Sequence, residues 1–405
     1  MQRKKVIAAG LVLAVIFSLT ACSKASTGTS AASASSGGGL KVNYSKTDYS
    51  ASSPIVTSGT LSTVQMGPAT KTPVALPYSG VLPVDEGPIG GGSGKTYTVG
   101  LSLPFTTNIW FSGLQDSLIL EASRHSNIKV LTLNANQDAV QQANDVRNLI
   151  SRKVDAIIID PVQEAALIPA FQLAVKAGIP VIDVDRQISN PIYTNVVTGD
   201  FNQGPTDIAK WIVKQLQAKY GSPKGIIAEI QTDLGSTPQI ARFNSFKNVV
   251  DKYNGIKVVG LQAANADETK AYTVMNDIMS SNPKIDVVYA HSEAMLMGAW
   301  KAMNAAGRTK DVFFIGCDLS KEGVQWIQQG KIQALAPWTP FIGDVALRAA
   351  IYDLEGKSVP KTVWLPSQDV VTQSNVKLYG GIAYGPVPKG MEAFWTVGKL
   401  PGGNS

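Results

Sequence analysis

The chain has 405 residues, 44% of them hydrophobic and 16% charged, with 37 Gly, 2 Cys, 2 His and a formal net charge of +6. That length exceeds one ordinary core and suits a pair of domains. Two cysteines exclude a disulfide scaffold and any multi-cysteine zinc or iron–sulfur site. His125 and His291, far apart in sequence, give no basis for a histidine metal centre, so no metal or other cofactor is expected.

The positive charge is not a nucleic-acid footprint. Arg3, Lys4 and Lys5 carry three units at the amino terminus, and a low-complexity stretch ending at Lys95 carries two more, so Thr96 to Ser405 retains only +1. Those three basic residues precede an apolar run from Val6 to Phe17 and then small residues, the tripartite pattern of a secretory signal over 1–21. The run is too short to span a bilayer comfortably. It ends Leu19-Thr20-Ala21-Cys22, which resembles a bacterial lipobox, with cleavage before Cys22 and lipid on its sulfur. Cys317 is then a lone thiol, and its place in the apolar run from Val312 suggests an inert core residue.

From Ser23 to Lys95, 47 of 73 residues are Ala, Gly, Ser, Thr or Pro. Such a composition buries too little apolar surface to offset its chain entropy, so 22–95 reads as a lipidated Cys followed by a disordered tether. Tyr44, Tyr49 and the stretch from Val74 to Val84 leave open that part of it packs on the surface of the folded module.

Beyond Thr96, short β-branched runs alternate with helical patterns at roughly 30-residue intervals, the rhythm of βαβ units. Strands are predicted at Tyr97–Leu103, Ile128–Leu133, Val154–Ile159 and Pro180–Val184. A second series covers Gly225–Ile230, Ile256–Leu261, Ile285–Ala290, Val312–Gly316 and Ile332–Ala336. Ala139, Ala143, Val146 and Ile150 mark one face of a helix, as do Ala271, Val274, Met275 and Ile278. Two open α/β sheets in succession are the economical reading.

Ligands of such sheets bind beyond the carboxyl ends of the strands. After the first strand come Asn108, Trp110 and Phe111, and after the fourth Asp185 and Arg186. In the second series Arg242 follows Gln231, Ser292 and Glu293 follow His291, Asp318 follows Cys317, and Trp338 follows Ala336. Carboxylates accept hydroxyl hydrogens, guanidinium donates in a planar fork, and an indole face covers the apolar side of a sugar ring. The set is an inventory for recognising a polyol. Each member has a structural alternative: a helix cap for Asp318, a surface ion pair for Asp185 and Arg186, core packing for Trp110 and Phe111, and a crossover residue for Trp338. Glu293 reads as a solvated or capping acid, and Asp267 as the cap of the helix through Met275.

Together these motifs resemble the pentose- and hexose-binding branch of the periplasmic binding proteins, the ribose-binding type, which supply ABC importers. The resemblance runs from about residue 96 to 378. It is carried by Ile179-Pro180-Val181-Ile182-Asp183-Val184-Asp185-Arg186, by Tyr289-Ala290-His291-Ser292-Glu293-Ala294-Met295-Leu296-Met297-Gly298-Ala299, by Ile315-Gly316-Cys317-Asp318, by Gly330-Lys331-Ile332, and by the late Val370–Val376 segment. It implies an α/β fold of two Rossmann-like lobes with parallel sheets, joined by a three-segment hinge near Asp200–Gln203, Trp338–Pro340 and Trp364–Ser367. The first lobe would hold 96–201 plus 339–365, the second 202–338 plus 366–390, with 391–405 a tail.

The same resemblance implies that Asn108, Trp110, Phe111, Asp185, Arg186, Arg242, Ser292, Asp318 and Trp338 contact a monosaccharide or related polyol. Ser292 stands where the pentose binders have Asn, Ala266 where they have a second-lobe aromatic, and Trp338 where they have Gln. Ribose itself is therefore not implied. The resemblance further implies a monomeric, non-catalytic lipoprotein, anchored by Cys22 outside the cytoplasm and serving ABC permease subunits with their ATPase. Rival readings are a chemosensory or signalling protein for a nucleoside or furanosyl molecule, and an exported glycan hydrolase using Asp185 and Asp318. Arg186 beside Asp185 argues against the hydrolase, because it should hold that acid ionised.

Overall fold

The computed structural model describes residues 54–57, 63–65, 81–82, 84–85, 87–365 and 369–377. The expected signal segment 1–21, Cys22, the remaining tether positions and the tail 391–405 lie outside the described residues.

Two short strands, β1 (Pro54–Thr57) and β2 (Thr63–Gln65), precede the main body. The first lobe then runs β3 (Tyr97–Leu103), α1 (Ile109–Ser123), β4 (Ile128–Asn134), α2 (Ala139–Ser151), β5 (Ala156–Ile159), α3 (Glu164–Lys176), β6 (Val181–Val184) and β7 (Asn195–Gly199). The second lobe continues α4 (Gln203–Tyr220), β8 (Lys224–Gln231), α5 (Thr237–Val250), β9 (Gly255–Ala263), α6 (Glu268–Ser281), β10 (Val287–Ala290), α7 (Glu293–Ala305), β11 (Phe313–Cys317), α8 (Lys321–Gln328) and β12 (Ala334–Ala336). The chain returns to the first lobe with α9 (Gly343–Leu354) and β13 (Pro360–Leu365), then to the second with β14 (Val371–Thr372).

The first sheet has the order β2-β1-β13-β7-β6-β5-β3-β4 and the second β14-β12-β11-β10-β8-β9. Pairings from β13 to β4 are parallel, as are those from β12 to β9; β1, β2 and β14 join antiparallel at the edges. Each sheet is buried on both faces by helices, which explains its near-continuous Val and Ile strands. In each lobe the opening strand, β3 or β8, lies between its second and third strands, a topological switch point where a crevice opens at the carboxyl ends.

Local sequence sets the helix starts. Asp138 caps α2 by accepting from the backbone N–H groups of Val140 and Gln141, and Asp267 caps α6 as expected by accepting from that of Lys270. Gly343 opens α9 where it crosses α1, and a Cβ there would lie 2.2 Å from the carbonyl oxygen of Leu114. Only glycine lets the returning helix dock so closely.

Five strands escaped the sequence reading: β1 and β2, which fall in the stretch expected to be a loose tether, and β7, β13 and β14. A second difference concerns the tether, which is not loose as far as Lys95. Val81 and Ile89 are buried in the first-lobe core, and Arg348 Nη1 donates to the Val81 carbonyl at 2.7 Å. Gly87 N–H donates to Arg124 O at 2.8 Å, while Asn127 brackets Ile89 through both its amide oxygen and its amide nitrogen. These well-placed apolar and polar contacts outweigh the Gly-rich composition there.

Candidate ligand-binding site

The loops after the strands of both lobes meet around one cavity of about 370 Å³, counted out to its mouth. Its wall contains all nine residues expected to contact ligand, together with Thr232, Pro238 and Ala266.

Asn108 is the N-cap of α1, its Oδ1 accepting from Trp110 N–H at 2.7 Å, while its Nδ2 donates across the cleft to the Ala266 carbonyl at 2.6 Å. Trp110 and Phe111 fill the first turn of α1, and both belong to the core as well as the cavity wall. Trp110 Nε1 donates to the Trp338 carbonyl at 2.9 Å, and the Arg186 guanidinium lies 5.2 Å from the Phe111 ring centre.

Asp185 follows β6 with φ +61°, a conformation uncommon for a side-chain-bearing residue. It is held there because its N–H donates to Val197 O at 2.9 Å and its carbonyl accepts from Thr198 Oγ1 at 2.7 Å. Its Oδ1 accepts from Trp338 Nε1 at 2.7 Å. Arg186 is not paired locally with Asp185. Its Nη2 donates to Asp233 of the second lobe at 2.8 Å, and its Nε lies 3.7 Å from Asp160.

Second-lobe residues repeat the plan. Asp318 follows β11 at φ +73°, with its N–H on Ala336 O at 2.8 Å. Arg242, on α5, donates Nη2 to Asp318 Oδ1 at 3.1 Å and Nη1 to the His291 carbonyl. Ser292 caps α7, accepting from Met295 N–H. Asp318 is not the cap of α8; Ser320 is, accepting from the N–H groups of Glu322 and Gly323. Glu293 is not solvated either: it is buried, accepts from Ser320 N–H at 2.6 Å and from its hydroxyl, and burial pushes its pKa up to about 7 against those hydrogen bonds.

Burial dominates the electrostatics. It raises Asp185 to about 6, although the Trp338 N–H and the Arg186 and Arg242 charges pull the other way. Asp185 therefore stays mostly ionised at neutral pH, less firmly than its place beside Arg186 suggests, because Arg186 makes its nearest contact with Asp233 and desolvation outweighs its charge. Asp318 is also raised by burial, with Arg242 opposing. His291 falls because burial outweighs its 2.9 Å contact with Glu229. Cys317 is buried, its thiol pushed up to about 11 by desolvation, as befits an inert core residue. No group of three or more His, Cys, Asp or Glu able to hold a metal exists among the described residues, nor does any helix long and apolar enough to cross a membrane.

Thr232, Pro238, Asp160 and Asp233 carried no signal in the sequence. Asp233 sits two residues beyond β8, so the strand-end rule reaches it, but nothing marks it out from neighbouring polar loop residues.

Residues 99–358 match the family model described as periplasmic binding protein domain. The ribose import binding protein of Bacillus subtilis is 33% identical over 69% of this chain and 88% of that protein. An ABC transporter solute binding protein from Bacillus halodurans, solved with bound myo-inositol, is 26% identical with a TM-score of 0.65, covering 71% of this chain and 98% of that one. The binding protein component of an arabinose ABC transporter from a Shewanella species, bound to α- and β-L-arabinofuranose, is 27% identical with a TM-score of 0.64, covering 69% and 93%. With two parallel-sheet lobes, strand-end residues gathered on one cleft and a family match over most of its described length, the chain belongs to the periplasmic binding protein family, in the type I group that holds the ribose import binding proteins.

Proposed function

We propose that this chain is the substrate-binding lipoprotein of an ABC sugar importer, which takes a monosaccharide or related polyol into the cleft and presents it to the permease by closure of its lobes. The observation that carries the reading is the cavity of about 370 Å³ whose wall combines two carboxylates, two guanidinium groups and three aromatic rings from both lobes. A ligand touching both lobes favours the closed state by its differential affinity for closed over open. The ligands named for relatives, ribose, myo-inositol and arabinofuranose, are five- and six-carbon compounds bearing several hydroxyls, which such a wall can bond. The chain acts as a monomer without catalysis, tethered outside the cytoplasm by lipid on Cys22, with the permease and its ATPase as partners.

A thermal-shift screen of monosaccharides, polyols and nucleosides tests the reading, since a cleft binder gains stability with free ligand in excess. Stabilisation by one or more sugars is expected. A response confined to nucleosides, or turnover of any bound glycoside, would replace it. The furanose in the Shewanella structure favours including furanosyl compounds, the ligand class of the signalling alternative, in the screen.

A further inference from the structure

Trp338 lies just after β12, where the chain crosses back to the first lobe. Its indole N–H donates to Asp185 Oδ1 at 2.7 Å, and both side chains are buried. The ring is fixed from several sides. It covers Gly199, where a Cβ would come within 2.4 Å of Cη2, and meets Phe201 edge-on with ring centres 5.1 Å apart. Its own carbonyl accepts the Trp110 indole N–H at 2.9 Å. Gly199 and Phe201 flank the first crossing between the lobes, so one indole joins two crossings to a carboxylate of the cavity wall.

A carboxylate has two acceptor oxygens with two lone pairs each, and it holds two adjacent hydroxyls of a polyol in bidentate fashion when each oxygen takes one. Here Oδ1 is occupied by a donor that cannot turn away, and no hydrogen bond from the described residues reaches Oδ2. We infer that Trp338 is a specificity-determining residue: by holding Oδ1 of Asp185 it disfavours a bidentate contact in which two adjacent ligand hydroxyls take one oxygen each, and turns the carboxylate toward a single hydroxyl on Oδ2. The inference rests on the sugar-binding reading and deepens it. The favoured ligands are sugars or polyols whose edge toward Asp185 presents one hydroxyl beside a carbon that is deoxygenated, substituted or turned away. A second hydroxyl at that edge would compete with the indole, and a buried donor left without an acceptor costs on the order of tenfold in affinity.

Two measurements test this. The first needs no sugar: the Trp338 indole resonance, assigned in a ¹H–¹⁵N spectrum by its loss in Trp338→Phe, should shift in Asp185→Asn, and an unmoved resonance would overturn the hydrogen bond on which the inference stands. The second is calorimetry with D-ribose, D-allose and myo-inositol and their monodeoxy forms, on wild type and on Trp338→Phe after its melting curve shows a folded protein. In wild type one monodeoxy form should bind within about threefold of its parent. In Trp338→Phe the parent should gain about tenfold over that form, because Oδ1 now receives the second hydroxyl. An unchanged ratio overturns the inference while leaving sugar binding intact. If no sugar or polyol of the thermal-shift screen stabilises wild type, the sugar-binding reading fails and takes the inference with it. Should Trp338→Phe not fold, Trp338→Met, which fills space without any N–H or O–H donor, takes its place with the same expected ratio.

Discussion

In the first lobe Asp185 follows β6 at φ +61°, and in the second Asp318 follows β11 at φ +73°; each backbone N–H ties to the next strand of its sheet. Each acid has an arginine nearby, yet the two arginines are held differently. Arg242 is satisfied within its own lobe, by Asp318 and the His291 carbonyl. Arg186 reaches across the cleft to Asp233 and lies over Phe111. The first lobe supplies aromatic surface and a guanidinium shared between Asp160 of its own lobe and Asp233 of the other. The second supplies a polar frame held by contacts within the lobe. One repeated scaffold thus yields one arginine tied inside its lobe and one that also bridges the cleft.

Removing each arginine should separate these roles. Arg242→Ala leaves Asp318 buried without its cation and should cost about 3–5 kcal/mol in urea unfolding. Arg186→Ala should cost a comparable amount, because Asp233 and the fully buried Asp160 lose their cation, and should lower sugar affinity at least tenfold by calorimetry. Only Arg186→Ala removes a tie between the lobes, so only it should raise the fraction of open molecules seen by X-ray scattering, and equal fractions in the two variants would break the contrast between the lobes.

A smaller effect sharpens the rigidity of the second lobe. Glu293 holds Ser320 in the wall behind Asp318, and its pKa of about 7 lies above the usual 4.5. A raised acid binds its proton more tightly in the folded state, so its stabilising contribution is complete below about pH 4.5 and is lost as pH rises through about 7. Unfolding free energy should therefore gain on the order of 3 kcal/mol from this group between pH 8 and pH 4.5, at about 1.4 kcal/mol per pH unit. Glu293→Gln should flatten that part of the profile, and an unaltered profile would show that Glu293 titrates normally.

The smallest effect compares two helix caps. Ser292→Ala and Asn108→Ala should each cost about 1 kcal/mol of stability. Only Asn108→Ala also removes a bond to the other lobe, to the Ala266 carbonyl, so only it should raise the fraction of open molecules seen by X-ray scattering.

Nine strands were legible because each is a short β-branched run followed by a helical pattern, and the site was legible because its residues come directly after those strands. The segments that leave each lobe were not legible. Strand β13 opens on Pro360 and is preceded by a helix that has already left its neighbours in sequence, so no local pattern says which sheet it joins. Likewise β7 comes after Asn190 and Pro191, which read as loop. The partners of Asp185 and Arg186 were not legible for a related reason: sequence adjacency suggests a pair, whereas the left-handed turn at Asp185 sends one side chain to Trp338 and the next to Asp233. Trp338 could be read as either a ligand platform or a crossover residue; it lines the cavity and packs on both crossings at once.

The strap from Val81 to Ile89 and strand β1 also bear on where this molecule can safely be shortened. Strand β13 is the last parallel strand of the first sheet, and β1 covers its outer edge in antiparallel register. A chain begun at Thr96 would uncover that edge, a row of backbone donors and acceptors open to pairing with another molecule. It would also empty the places of Val81 and Ile89 in the core and leave Arg348 Nη1 without the Val81 carbonyl. From strand β1 onward, the described residues of the low-complexity leader therefore behave as the outermost layer of the first lobe.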